Sequence, residues 1–259
     1  MCTKIIIFNK SKIISLFSLN IIIEILFLIV NAKMENQRAE SPTAHYHEGP
    51  EDVVEYVKEK AKSGNPDDIL RVTDEYGWNV RGIMNVGDVK GKILDEIFQK
   101  ADPTIVLELG SFIGYSAVRM ARLLKPGGKF YSIEINPLRA KLTEELVEFA
   151  GLSDKVTVFV GPTEEVIPTL KSKHNIEHLD FVFIDHHKPL YKRDLIKLVE
   201  TGLLRKGSVV VADNMLYPGN PEYMKFIQNH PKFESQFFES QLEYSTEVAD
   251  GMMKSVYLG

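Results

Sequence analysis

The segment IVLELGSFIGYSAVRMARLL, residues 105–124, decides how the rest of the chain is read. Ile105-Val106-Leu107 is a short apolar run rich in β-branching, of the kind that forms a central parallel strand. Gly110 and Gly114 mark a turn where the backbone takes positive φ or lets another group approach closely. From Tyr115 onward Ala117, Val118, Ala121 and Leu124 fall at helical spacing. Strand, glycine turn and helix in that order set backbone N–H groups at a helix start, facing the carboxyl end of a sheet. In an open α/β sheet that crevice is where ligands bind. Two glycines four residues apart also occur in ordinary β-to-α connections, so the flanking sequence has to decide.

Downstream, Lys129 to Ile133 reads as the next strand and ends in Glu134. A carboxylate some twenty residues beyond a glycine turn is placed to accept from a ribose diol. The turn lacks G-x-G-x-x-G, the pattern that a dinucleotide pyrophosphate requires. A nucleoside without pyrophosphate has less need of that loop, which points away from NAD and towards S-adenosylmethionine. Beyond it, Leu138–Ala150 reads as a helix closed by Gly151, and Val156–Val160 as a strand. Gly161-Pro162-Thr163-Glu164 then opens a helix to Leu170, a loop type suited to covering an adenine ring. Leu179–Ile184 is a strand running into Asp185-His186-His187-Lys188. Leu190–Val199 is helical, and Ser208–Val211 is a strand ending at Asp213-Asn214. Two tail strands, Phe233–Phe238 and Met253–Leu258, flank a polar segment containing Glu243. The expected fold is α/β: a doubly wound, mostly parallel sheet with an antiparallel strand near the C-terminus and extra N-terminal helices. Those helices are Glu51–Lys62, Pro66–Tyr76 with Asn65 as cap, and one that starts between Gly87 and Gly91 and runs to about Lys100.

The 259 residues suit one domain with an appendage, and 44% hydrophobic with 26% charged residues is a globular composition. A net charge of −5 gives no electrostatic reason to expect nucleic acid. Cys2 is the only cysteine, so neither a disulfide framework nor a thiolate metal site is available. At the amino terminus Lys4, Lys10 and Lys12 precede the apolar run 13–30, which reads as a signal anchor or a cleaved signal peptide, with both readings open. Either would leave the remainder of the chain outside the cytosol, whereas a start at Met34 would give a cytoplasmic form without the segment. The expected organisation is therefore 1–33 targeting segment, 34–50 polar linker and 51–259 catalytic body, with a monomer favoured.

Asp185, Asp213 and Asn214 follow the ends of two separate strands and face the same crevice as the glycine turn. Two carboxylates and an amide oxygen form a hard, all-oxygen donor set that suits Mg²⁺ better than Zn²⁺. Either aspartate alone would read as a strand-end cap. His186 and His187 are adjacent at a strand end and point apart, which argues against a zinc pair. Lys188 lies three residues beyond Asp185. Near a dication its pKa should fall, which suits a general base.

MNVGDVKG, LELGSFIGYSAVRMARLL, IEINP, FIDHHK, GLLRKGSVVVADN, PGNPE and LEY together resemble the catechol O-methyltransferase family, from about Glu51 to Gly259. The resemblance implies Mg²⁺- and S-adenosylmethionine-dependent methylation of a catechol, such as a catecholamine or another vicinal diphenol. It implies Mg²⁺ on Asp185, Asp213 and Asn214, with Lys188 as base. Glu243, Lys188, Asn214 and Pro218 would meet the substrate. Met84, Asn85, Val86, Gly110, Ser116, Glu134, Ile135, Gly161 and Asp185 would line the donor pocket. The chain departs from the family at Gly82 and His187, where tryptophans are usual, and at Gly161–Glu164, where Gly-Ala-Ser-Gln is usual. In the family the first of these tryptophans is part of the aromatic wall around the substrate and the second stacks near the adenine, so the resemblance implies a less apolar substrate wall here. Competing readings are an O-methyltransferase for another polyphenol, and a membrane-anchored binding or trafficking protein on this scaffold.

Overall fold

The computed structural model describes residues 49–259. The apolar run 13–30 and most of the polar linker lie outside these residues. Among the described residues no helix is long and apolar enough to cross a membrane.

The elements, in chain order, are α1 (Pro50–Lys60), α2 (Pro66–Asn79), α3 (Asp88–Ala101), β1 (Ile105–Leu109), α4 (Tyr115–Ala121), β2 (Lys129–Glu134), α5 (Pro137–Phe149) and β3 (Val156–Val160). There follow α6 (Thr163–Val166), α7 (Leu170–His174), β4 (Leu179–Ile184), α8 (Tyr191–Glu200), β5 (Leu204–Ala212), α9 (Pro221–Gln228), β6 (Phe233–Gln241) and β7 (Ala249–Tyr257). The helix starts follow their caps. Asn65 accepts from the Asp68 N–H with Pro66 in the first turn, and Asn136 accepts from Leu138 and Arg139 with Pro137 behind it.

The sheet runs β3-β2-β1-β4-β5-β7-β6. The first five strands are parallel, and β7 is antiparallel to both β5 and β6. Successive strand residues feed opposite cores, as a two-residue period requires. Val106, Phe181, Phe183, Val209, Val211 and Met252 join the core under α1–α5. Leu107, Leu109, Val182, Ile184, Val210, Ala212 and Met253 join the one under α8 and α9. A sheet buried on both faces explains why its strands read as continuous apolar runs rather than alternating ones.

Four expectations are corrected. The stretch after Gly161 is not one helix: α6, a 3-10 turn at Ile167–Thr169 and α7 share it, because Pro168 interrupts the donors of a continuous helix. Helix α9 was not foreseen, although Asn220 caps it by accepting from the Tyr223 N–H and Pro221 opens it. The tail strands are longer than the apolar runs mark, and β7 is the expected antiparallel strand, running against both β5 and β6. Pro50, read as linker, is the first residue of α1.

The chain lays β1, β2 and β3 outward in one direction and then returns to place β4 on the other side of β1. The crevice between the ends of β1 and β4 is thus the topological switch point, where such sheets bind ligands. Gly110 stands there at φ 91°, and a Cβ at this position would lie 2.8 Å from the Asp185 carbonyl oxygen. Only glycine allows the two strand ends to come this close.

Candidate active site

The donor side of the crevice is made by the ends of β1 and β2. Glu134 is buried, and its Oε2 accepts from the backbone N–H groups of Ser111 and Phe112, both at 3.1 Å. Its Oε1 accepts from the Asn136 N–H at 2.9 Å. The carboxylate therefore braces the glycine turn, and a ribose hydroxyl would take the remaining lone pair of Oε1. Gly114 starts α4 at φ 89°. Ser116, in that first turn, donates to Oε1 of Glu108 at 2.5 Å, while Ser132 donates to its Oε2 at 2.6 Å. Glu108 is fully buried, and burial pushes its carboxyl up to about 8. Glu108 is thus a buried acid behind the turn, closed off by the two serines. Its position inside an apolar strand gave no signal of this in the sequence. Ile135 is exposed on the rim, and Gly161 follows β3 and donates to the Glu134 carbonyl at 3.0 Å.

Met84, Asn85 and Val86 lie between α2 and α3. Val86 is buried, and Asn85 Oδ1 accepts from the Gly87 N–H at 2.7 Å and from the Tyr244 hydroxyl at 3.0 Å. Asn85 Nδ2 is buried and has no partner. The Tyr244 hydroxyl, with its single proton, lies between Asn85 and Asp74, its oxygen 3.0 Å from Oδ1 of each, and Asp74 accepts from Tyr115 as well. Burial raises the Asp74 carboxyl to about 6. This network ties the segment before α3 to the residue following Glu243.

The acceptor side is charged. Asp185 and Asn214 come together from the ends of β4 and β5, and Lys188 Nζ lies between them, 3.1 Å from Asp185 Oδ1 and 2.7 Å from Asn214 Oδ1. Its third contact is the Tyr191 hydroxyl at 2.6 Å. Asp213 is fully buried, and Oδ1 has no hydrogen-bond partner. Burial, reinforced by Asp185 and Asp250 against the pull of Lys90, pushes the Asp213 carboxyl up to about 8. An orphaned carboxylate oxygen, on a residue that adjoins Asn214 in sequence and feels the charge of Asp185, fits a hard divalent cation, whose positive charge would favour the ionised acid. Among the described residues no group of three His, Cys, Asp or Glu side chains has metal-binding geometry. The set here is instead two carboxylates and an amide.

Behind these ligands lies a residue that the sequence reading passed over. Lys90, the last residue but one of MNVGDVKG, is buried on α3 and donates to Asp213 Oδ2 at 2.9 Å, Glu243 Oε2 at 3.1 Å and Asp250 Oδ2 at 2.7 Å. Burial would lower its pKa, but the three carboxylates outweigh that and hold it well above the ordinary lysine range. Glu243 is raised by burial, with Lys90 opposing. Asp250 also accepts from Asn214 Nδ2 at 3.0 Å and from the Leu216 and Tyr217 N–H groups at 3.1 Å each. Pro218 is on that same 215–219 segment, exposed.

The two histidines do part. His187 is exposed, whereas His186 bonds Asp194 at 2.7 Å and stacks on Tyr191. A separate cavity of 310 Å³ between α5 and β3, lined by Glu144, Val147 and Val158 among others, contains none of the site residues.

The sequence profile of the O-methyltransferase family matches residues 65–237. Catechol O-methyltransferase of Bos taurus is 45% identical over 207 residues, covering 80% of this chain and 76% of that one. Two solved structures superpose on the fold. The O-methyltransferase TomG of Streptomyces achromogenes, in complex with SAM, does so at a TM-score of 0.58 and 25% identity, covering 66% of this chain and 80% of that one. A Bacillus cereus O-methyltransferase in complex with SAH reaches a TM-score of 0.63 at 23% identity, covering 79% and 96%. With the glycine turn, the braced Glu134 and the switch-point crevice in place, this chain belongs to the S-adenosylmethionine-dependent O-methyltransferase family.

Proposed function

We propose that the chain moves the methyl group of S-adenosylmethionine to one hydroxyl of a catechol, with Mg²⁺ held by Asp185, Asp213 and Asn214. The observation that carries this reading is the convergence of Asp185, Asn214 and Lys188 at adjoining strand ends, with the buried Asp213 next to Asn214 in sequence left with one oxygen unpartnered. Asp185, Asp213 and Asn214 would hold the Mg²⁺, which would supply Lewis acidity towards the reacting hydroxyl. Glu243 would accept from the second hydroxyl, its Oε2 being fixed by Lys90. The oxygen–methyl bond would form as the sulfonium–methyl bond breaks and leaves its pair on sulfur, and Lys188 would accept the hydroxyl proton. The ammonium so formed has three acceptors in place: Asp185 Oδ1, Asn214 Oδ1 and the Tyr191 hydroxyl oxygen. Glu134, Asn85 and Ser116 would hold the donor, with Met84, Val86, Gly110, Ile135 and Gly161 around it. Positioning of two reactants and charge stabilisation then supply most of the acceleration.

The test is methyl transfer from labelled S-adenosylmethionine to dopamine by the full chain, with Mg²⁺ and after chelation. Transfer that stops on chelation and returns with Mg²⁺ is expected. Donor binding without transfer to any catechol would move the reading to another acceptor, and transfer indifferent to chelation would remove the metal.

A further inference from the structure

Lys90 makes contacts that no single carboxylate would require. Its side chain is wholly buried, and its three ammonium protons have three carboxylate partners from three distant places in the chain. Asp213 is a candidate metal ligand and Glu243 the candidate substrate clamp. Asp250 holds the Asn214 amide and the backbone at Leu216 and Tyr217, which leads to Pro218. By engaging Oδ2 of Asp213, Lys90 leaves Oδ1 as the oxygen without a partner. A carboxylate free at both oxygens could rotate or chelate in two-oxygen fashion. This one is limited to presenting a single atom.

We infer that Lys90 is a positioning residue for the reaction: it fixes the Asp213 oxygen offered to the cation, holds the Glu243 clamp in register with it, and through Asp250 anchors the 214–217 segment. The inference rests on the methyl-transfer reading above. It touches neither donor nor acceptor itself, and so it differs from charge balance alone, in which any arrangement with the same net charge would serve. Gly87 adds a second constraint, since a Cβ there would lie 2.8 Å from Glu243 Cβ. The start of α3 therefore fits directly against the clamp, and a displaced lysine cannot be accommodated by sliding the helix inward.

The full chain carrying Lys90→Met, Asp250→Asn or both is compared with wild type. Readouts are Mn²⁺ binding by electron paramagnetic resonance with saturating S-adenosylhomocysteine, calorimetric affinity for S-adenosylhomocysteine, and KM and kcat for dopamine. Lys90→Met is expected to weaken Mn²⁺ binding and raise the dopamine KM by about tenfold or more, with S-adenosylhomocysteine affinity within about twofold. The double variant, with its net charge restored, should not recover Mn²⁺ affinity. Asp250→Asn, which turns an acceptor shared by Lys90 and Asn214 into a donor, should weaken Mn²⁺ binding by itself. It decides the matter if Lys90→Met does not fold. Unchanged Mn²⁺ affinity in Lys90→Met or in Asp250→Asn, or recovery in the double variant, would overturn the positioning role. Wild type that binds no Mn²⁺ and transfers no methyl group would instead overturn the methyl-transfer reading beneath it.

Discussion

On the donor side of the crevice, Glu134 accepts from Asn136, two residues away, and from Ser111 and Phe112, across one strand–turn–helix unit. On the acceptor side, Lys90 holds residues 123, 153 and 160 positions away. The first half is built from backbone N–H groups that the local chain path supplies. The second consists of buried charges, each of which would be costly if left alone. Local geometry is enough to shape a nucleoside site. The proposed metal and diol would need several like charges in one place, and only long-range pairing holds those charges together.

The comparison can be broken by substitutions that act on one half and should spare the other. Lys188→Ala should have the largest effect, lowering kcat by about 10²–10⁴-fold while calorimetric affinity for S-adenosylhomocysteine is kept. A near-normal kcat at neutral pH would remove Lys188 as base. Asp213→Ala should weaken Mn²⁺ binding by about 10–100-fold and abolish the response to Mg²⁺ in the transfer assay. An intact response would mean that the orphaned oxygen faces no cation. On the donor side, Glu134→Gln should raise the S-adenosylhomocysteine dissociation constant by about tenfold, since charge-assisted bonds are lost. A rise in dopamine KM with unchanged donor affinity would reverse the assignment of the halves.

Glu108 provides a test by pH. Its folded carboxyl, raised by burial to about 8 from an ordinary 4.5, favours the protonated form. Its contribution to stability is complete below about 4.5 and is lost as the pH rises to about 8. The melting temperature of the unliganded wild type should therefore fall across that window, and that of Glu108→Gln should fall less. Parallel pH profiles would show that Glu108 does not titrate there. The smallest effect is expected for Asn136→Ala, which removes the cap of α5 and should cost about 1 kcal/mol in denaturant unfolding. A much larger loss would show that Asn136 supports the Glu134 brace as well.

Much of this was open to a reader of the sequence, and the omissions have physical causes. Val106, Leu107, Phe181 and Val210 announce central strands because a sheet covered on both faces needs apolar residues at every position. Asn65, Asn136 and Gly114 announce helix starts because capping is a contact between near neighbours. Asp185, Asp213, Asn214 and Lys188 could be grouped because parallel strands deliver their ends to one edge. Helix α9 escaped notice because it is short, and β6 reads as shorter than it is because its last residues are polar and largely exposed, whereas β7 opens on Ala249-Asp250-Gly251, which carries no strand signal.

Lys90 and Asp250 escaped for another reason. A lysine on an amphipathic helix and an aspartate before a strand look like solvated surface residues, and nothing within a few positions of either marks them otherwise. The sequence by itself determined the order of the strands, the glycine turn and which oxygen-bearing residues follow each strand end, because these follow from periodicity, caps and turns over short spans. Tertiary structure alone decided which oxygen of Asp213 is left without a partner, that Lys188 lies between Asp185 and Asn214, and that one buried lysine joins three carboxylates. Those outcomes depend on packing α3, β5 and β7 against one another, and on the need to neutralise charge once water has been excluded.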